Sequence, residues 1–233
     1  MSNQLNHFAL TDKGHYKSIN EDAFKACPEL GLWIVADGMG GHDGGDIASL
    51  LAVNCIATAV QAGKNLSAAI QQAHQEIHQL AITEGGKKGM ATTVIAIQFT
   101  ENKFEIAWVG DSRAYLFKQQ QLSQLSHDHT VVQELIDKGD ISAAQAKIHP
   151  QRHLITQALG GDKDINVERI EGELTEGILL LCSDGLSNEL VDAKITSILS
   201  GSADLKEKSE KLIASVLALK GVDNITVLLL QKN

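Results

Sequence analysis

The chain has 233 residues, 43% hydrophobic and 21% charged, with a formal net charge of -9; this is globular composition with room for a sizeable core, and its sign repels nucleic acid. No apolar run approaches the ~18–20 residues of a membrane span, and the first residues lack the basic and apolar parts of a signal peptide, so a soluble, cytoplasmic chain forming one domain over 1–233, with no membrane partner, is expected. Cys27, Cys55 and Cys182 are odd in number, widely spaced and set among apolar residues, which predicts buried free thiols in a reducing compartment.

Residues 8–12 and 23–27 read as strands. Between them lies a polar stretch in which Lys17, Glu21 and Asp22 suit a solvated turn. An apolar run from Leu32 to Ala36 then stops at Asp37, and four glycines follow by Gly44. A buried strand ending this way delivers one carboxylate and a bare Gly38 carbonyl to a flexible loop, the beginning of a hard-cation site; an Asp-Gly hairpin is the even alternative.

A helix over 46–62 is predicted with Asp46 as its cap, and a second from Asn65 or Ser67 to 83. His74 and His78 on the second read as exposed, since Glu76 is misplaced for the zinc pattern His-Glu-x-x-His. Residues 85–89 form a loop. The β-rich segments 92–100 and 103–109 make a hairpin that ends at Gly110-Asp111, and 114–117 with 121–125 make another. Helices are predicted over 130–138 and 141–147, with Asp128 in the N-terminal turn of the first.

Strands at 165–170 and 177–182 follow, the latter the most apolar and ending at Ser183-Asp184-Gly185. Helices over 190–200 and 205–220 precede Asp223-Asn224 and a last strand at 225–230. Antiparallel-looking strand runs with paired helices between them indicate an α+β fold in which two antiparallel sheets pack together under helices, against a doubly wound parallel sheet.

Asp37, Asp111, Asp184 and Asp223 share one feature: each stands at a strand end beside Gly or Asn. All-oxygen ligation selects Mg²⁺ or Mn²⁺ over zinc or copper, and carboxylates gathered closely are stable only with cations between them. Two such ions ~3.5–4 Å apart can acidify a shared water and clamp a phosphoryl oxygen, making attack by a metal-held hydroxide feasible without a protein nucleophile. No Gly-x-Ser-x-Gly elbow, Cys-x5-Arg loop, Walker pattern or dinucleotide fingerprint is present.

The ordered set Asn20-Glu21-Asp22, Val35-Ala36-Asp37-Gly38-Met39-Gly40-Gly41-His42, Gly89-Met90-Ala91-Thr92-Thr93, Val109-Gly110-Asp111-Ser112-Arg113-Ala114-Tyr115, Asp128-His129, His149-Pro150-Gln151-Arg152, Cys182-Ser183-Asp184-Gly185-Leu186 and Asp223-Asn224-Ile225-Thr226 resembles the bacterial branch of the metal-dependent protein serine/threonine phosphatases, the protein phosphatase 2C family. The resemblance runs nearly end to end. It implies a four-layer α-β-β-α sandwich and hydrolysis of phosphoserine and phosphothreonine with Mn²⁺ or Mg²⁺, two ions at the core and a third in bacterial members. By position it implies Asp37 bridging two metals, the Gly38 carbonyl on the second, and Asp184 and Asp223 on the first. Asp111 would hold the third metal with Asp184 shared, and Glu21 and Asp22 would act through metal-bound waters. Asn224 would brace Asp223. Residues 130–152 correspond to a flap beside the site.

Two departures stand out. Lys17 occupies the place of the usual phosphate-binding Arg, offering a point charge and not a planar fork. Met39 occupies the place of the general-acid His of animal members, leaving His42 or a metal-bound water as proton donor. The resemblance implies phosphorylated proteins as substrates, a cognate Ser/Thr kinase and a monomer. A non-catalytic phosphoprotein-binding module and a small-phosphoester hydrolase are the competing readings.

Overall fold

The structure, a computed structural model, describes residues 5–40, 44–83, 89–161 and 164–232. Strands β1 (Leu5–Asp12), β2 (Asp22–Cys27) and β3 (Leu32–Met39) lead into helices α1 (Gly45–Gln61) and α2 (Leu66–Ile82). Strands β4 (Ala91–Thr92), β5 (Val94–Thr100), β6 (Lys103–Val109), β7 (Arg113–Lys118) and β8 (Gln121–Gln124) follow, then short helices α3 (Val131–Asp137) and α4 (Ala143–Ala146). The chain closes with β9 (Glu168–Glu173), β10 (Ile178–Cys182), α5 (Asp184–Ser187), α6 (Asp192–Leu199), α7 (Leu205–Leu217) and β11 (Ile225–Lys232).

The strands form two antiparallel sheets, one ordered β1-β11-β10-β7-β8 and the other β2-β3-β5-β6-β9, with β4 beside β3. Their inner faces pack together, as alternation along each strand requires. On β3, Trp33 and Val35 enter the core between the sheets, whereas Leu32, Ile34 and Ala36 enter the core under α1 and α2. On β10, Leu179 and Leu181 face the other sheet while Ile178, Leu180 and Cys182 pack beneath the α5–α7 layer. Continuous apolar runs thus mark strands covered on both faces, and the layers are helix, sheet, sheet, helix. Among the described residues no helix is long and apolar enough to cross a membrane. The three cysteines are free and buried.

Some local readings shift. Asp46 does not cap α1; that role falls to Gly44, in a left-handed conformation (φ 125°) with no side-chain cap. Asn65 caps α2, its side chain accepting from the Ala68 N–H. His74 is half-buried, and its Nδ1 accepts from the Gly160 N–H at 3.1 Å, so it is not a free surface histidine. The strand expected at 165–170 begins later, at Glu168, where pairing with β6 starts. A short helix at Asp184, unforeseen, precedes α6. Apart from Gly89, the loop expected at 85–89 lies outside the described residues.

Candidate active site

Asp37 reaches one end of the sandwich because β3 is anchored on both edges. β2 places Asp22 directly opposite Asp37, and the Asp37 N–H donates to Thr93 Oγ1 at 3.1 Å. The Asp37 carbonyl in turn accepts from the Thr93 N–H at 2.9 Å and Thr92 Oγ1 at 2.9 Å. The two threonines therefore hold the backbone that carries the carboxylate. Gly38 has no room for a side chain: a Cβ there would collide with the Gly45 and Glu21 carbonyl oxygens. The Gly38 N–H donates to the Glu21 carbonyl at 3.1 Å, and Ser49 Oγ donates to the same oxygen at 2.5 Å, which seats α1 against the Glu21 backbone.

Asp22 ties the two sheets together. Its Oδ2 accepts from Ser183 Oγ at 2.7 Å and Thr226 Oγ1 at 2.7 Å, at the ends of β10 and β11, while Oδ1 is buried without a partner. Asp184 opens α5, and Asn188 Nδ2 donates to its Oδ2 at 2.9 Å. Asp111 sits in the turn after β6, where Gly110 has φ 106° and lies so close to Thr93 that a Cβ would not fit. Asp111 Oδ1 is likewise buried and unpartnered. Asp223 is the most exposed of the set; its Oδ1 accepts from the Asn224 N–H at 2.8 Å and pairs with Lys17 Nζ at 2.7 Å.

Burial and mutual repulsion dominate the electrostatics. Burial first, then the charges of Asp22, Asp184 and Asp111, raise the Asp37 carboxyl well above its ordinary range. Burial and Asp223 raise Asp184, against opposing contributions from contact with Asp37 and the charges of His153 and Lys17. Asp111 is pushed up to about 8 by burial, Asp184 and Asp128. Asp22 is pushed up to about 7 by burial, although the Thr226 and Ser183 hydroxyls favour its ionised form. For Lys17, burial lowers the ammonium pKa, but the Asp223 hydrogen bond and charge, with Glu21 and Asp37 behind them, leave it raised.

This donor set fits hard divalent cations: buried Asp22 and Asp111 and half-buried Asp37 and Asp184 without enough positive charge, two of them with an orphaned oxygen, and no Cys or His among the donors. Side-chain positions alone do not close a cage, since among the described residues no three His, Cys, Asp or Glu side chains are arranged to hold an ion as they stand. Ligation would therefore draw on the Gly38 carbonyl and on water as well.

Four neighbours were unforeseen or misread. Asn224 braces mainly the 13–21 loop and not Asp223: its Oδ1 accepts from the Glu21 N–H at 2.8 Å, and its Nδ2 donates to the Lys13 and Ile19 carbonyls at 2.9 and 3.1 Å. Only its backbone N–H touches Asp223. Asp128 does not serve the turn of α3, which Thr130 caps; it chelates Arg113, with Nε at 3.0 and 2.9 Å from its two oxygens and Nη2 at 2.6 Å. Ser183 and Thr226 stood within the quoted motifs, yet nothing local signalled that their hydroxyls share one carboxylate. His42 lies outside the described residues.

The segment from His129 to Thr156 is clasped at its base by two backbone bonds, Val131 N–H to the Leu154 carbonyl at 2.9 Å and Thr156 N–H to the His129 carbonyl at 2.8 Å. His129 also grips Gly110 twice, through its own N–H at 3.0 Å and through Nδ1 at 3.1 Å, so this segment and the Asp111 turn share one anchor.

Comparison with known proteins bears directly on this site. A family profile described as Protein phosphatase 2C matches residues 12–216. A curated relative, the serine/threonine phosphatase stp of Listeria innocua, is 37% identical over 237 residues, covering 96% of this chain and 94% of its own. The crystal structure of the Mycobacterium tuberculosis serine/threonine phosphatase PstP/Ppp superposes with a TM-score of 0.91 at 35% identity, covering 98% of this chain and 99% of that one. A structure of the PstP catalytic domain in complex with 2 manganese ions gives a TM-score of 0.87 at 33% identity, with 97% of each chain covered.

Proposed function

The chain belongs to the protein phosphatase 2C family as a serine/threonine protein phosphatase, and from that premise we propose that it hydrolyses phosphoserine and phosphothreonine in proteins with Mn²⁺ or Mg²⁺, acting as a single-domain monomer against a cognate Ser/Thr kinase. The observation that carries the reading is the buried carboxyl cluster, drawn from β3, the β6–β7 turn, the start of α5 and the entrance to β11, with Lys17 as the cation held against it.

In this reading Asp37 and the Gly38 carbonyl, with Asp184 and Asp223, would hold two ions, and Asp111 with Asp184 would hold a third. Bound there, the ions supply charge for the phosphoryl oxygens and an acidified water as nucleophile. The 2-manganese complex of PstP supports the two-ion part of this loading. Asp22 keeps one oxygen on Ser183 and Thr226 and leaves the other free for an ordered water; Glu21, beside it, serves the same water layer. Lys17 exchanges its Asp223 partner for the substrate phosphate, so the ammonium stays at the same rim. The proton for the leaving serine or threonine oxygen comes from His42 or from water.

The test is phosphate release from a phosphothreonine peptide in Mn²⁺, in EDTA, and for Asp184→Asn in Mn²⁺. Release is expected only from the first. Equal release in EDTA, or by Asp184→Asn, removes the metal-dependent mechanism.

A further inference from the structure

We infer that the surface where the 13–21 loop crosses the α7–β11 turn is a specificity site for a bulky apolar residue flanking the phosphorylated residue of the substrate, with Tyr16, Leu219 and Val222 as its contact groups; this rests on Lys17 receiving the phosphate.

The crossing is built, not draped. The His15 N–H donates to the Gly221 carbonyl at 2.8 Å, and His15 Nε2 lies 3.0 Å from the Leu217 carbonyl. Gly14, in a left-handed conformation (φ 74°), lies against the Asp223 and Gly221 carbonyls so closely that a Cβ would collide with both. A Cβ on Gly221 would come within 3.0 Å of the His15 ring. The backbone of the loop is therefore fixed on the turn, and the Asn224 side chain holds the same loop from beneath.

This rigid crossing presents three apolar side chains outward, among exposed Lys13, His15 and Lys220. Tyr16 is 75% exposed, Leu219 58% and Val222 45%. Tyr16 follows His15 and Val222 follows Gly221, so each lies one Cα step of ~3.8 Å from the bonded pair. A tyrosine on a fixed backbone offers a large contact area at small cost in side-chain entropy. Its ring meets that of His15 edge-on, with centroids 6.5 Å apart.

The occupant follows from the neighbour. Tyr16 directly precedes Lys17, whose Nζ marks the rim of the carboxyl cluster at 2.7 Å from Asp223. An extended peptide rises ~3.3 Å per residue. With its phosphate on Lys17, residues one to three positions away along the peptide are therefore within reach of Tyr16 and the α7–β11 turn. Charge agrees with that placement: Lys13 and Lys220 join Lys17 at this crossing in a chain of net charge -9, and Lys13 Nζ donates to the Lys17 carbonyl at 3.1 Å. Lys17 is paired with Asp223, and the exposed Lys13 and Lys220 add the charge that favours a phosphorylated segment here.

The experiment uses fluorescein-labelled peptides carrying a hydrolysis-resistant phosphonate in place of phosphothreonine, identical except for Leu or Ala at each of three positions on either side. Anisotropy with the full chain in Mn²⁺ gives a Kd ratio for each position. Leu is expected to bind about fivefold or more tighter than Ala at one or more positions, less than an enclosed pocket achieves. Tyr16→Ser and Leu219→Ser should each bring that ratio toward one. Leu219 lies outside the loop and is exposed, so its variant keeps the test valid if Tyr16→Ser disturbs Lys17. A ratio near one at all six positions in the unmodified chain overturns the inference. So does a ratio retained in both variants. Turnover of p-nitrophenyl phosphate, measured alongside, reports on the phosphatase reading alone, so each can fail without the other.

Discussion

Replacing Asn224 should damage the protein in a way that separates bracing of the 13–21 loop from bracing of the metal site. Asn224 is 2% exposed, and its side chain makes three hydrogen bonds, all to backbone groups of that loop. A buried group left bare costs about 1–3 kcal/mol. The loop is partly exposed, so water recovers some of its carbonyls, and about 2–4 kcal/mol is expected for Asn224→Ala. For a domain of this size that lowers Tm by about 5–15 °C. Asn224→Asp keeps the acceptor for the Glu21 N–H but turns the donor toward two carbonyls into a charged acceptor beside Asp223. It should therefore be no more stable than the alanine variant. Urea unfolding in EDTA, followed by tryptophan fluorescence, measures both without metal binding in the balance. Because Lys17 rides on the same loop, the KM of Asn224→Ala for p-nitrophenyl phosphate should rise about tenfold, the equivalent of 1.4 kcal/mol. An Asn224→Asp protein as stable as the unmodified chain, or an alanine variant with unchanged KM, would refute the reasoning.

Lys17→Arg should lower the KM for a phosphopeptide, because the guanidinium fork holds two phosphate oxygens at once; steady-state kinetics showing an unchanged or raised KM would exclude it. Arg113→Ala strands the buried Asp128 carboxylate and should cost about 3–5 kcal/mol in urea unfolding, with Arg113→Lys recovering only part since one ammonium cannot span both oxygens. Asp22 sits at about 7 in the folded chain against about 3.9 unfolded. A raised carboxyl contributes stability that is complete below the unfolded value and is lost as pH rises through the folded one. Metal-free protein should thus melt several degrees lower at pH 8 than at pH 5.5, and Asp22→Asn should make that slope shallower, the raised Asp37, Asp111 and Asp184 carboxyls keeping the rest; a slope equally steep in the variant would remove Asp22 as a source.

The strand ends were readable because burial on both faces leaves a continuous apolar run, and the run breaks where a carboxylate must emerge: Asp37 after Trp33–Val35, Asp184 after the β10 leucines. Hairpins were readable from alternation and turn residues. The supports behind the carboxylates were not. Asn224 and Glu21 are 203 positions apart, as Asp22 and Thr226 are 204 apart, and no local periodicity encodes which hydroxyl or amide will meet which carboxylate across two packed sheets. Asp128 was misread because its partner, Arg113, lies across a hairpin, where an acid just before a helix looks complete in itself. The cap of α1 was misread because Asp46 has the right chemistry, while the crowding of Gly38, Gly45 and Glu21 leaves the N-terminus only a glycine's path.

β11 pairs with β1 on one side, from Leu5↔Lys232 to Asp12↔Ile225, and with β10 on the other. The strand that brings Asp223 and Asn224 is thus an inner member of its sheet although it follows every other described strand in the chain. Until it inserts, the opening strand has no partner within its sheet and the Lys17 loop has nothing to rest on. A ribosome-bound intermediate that has not yet released β11 would lack that support, so phosphatase activity should switch on in one step when β11 emerges and never build up gradually before it.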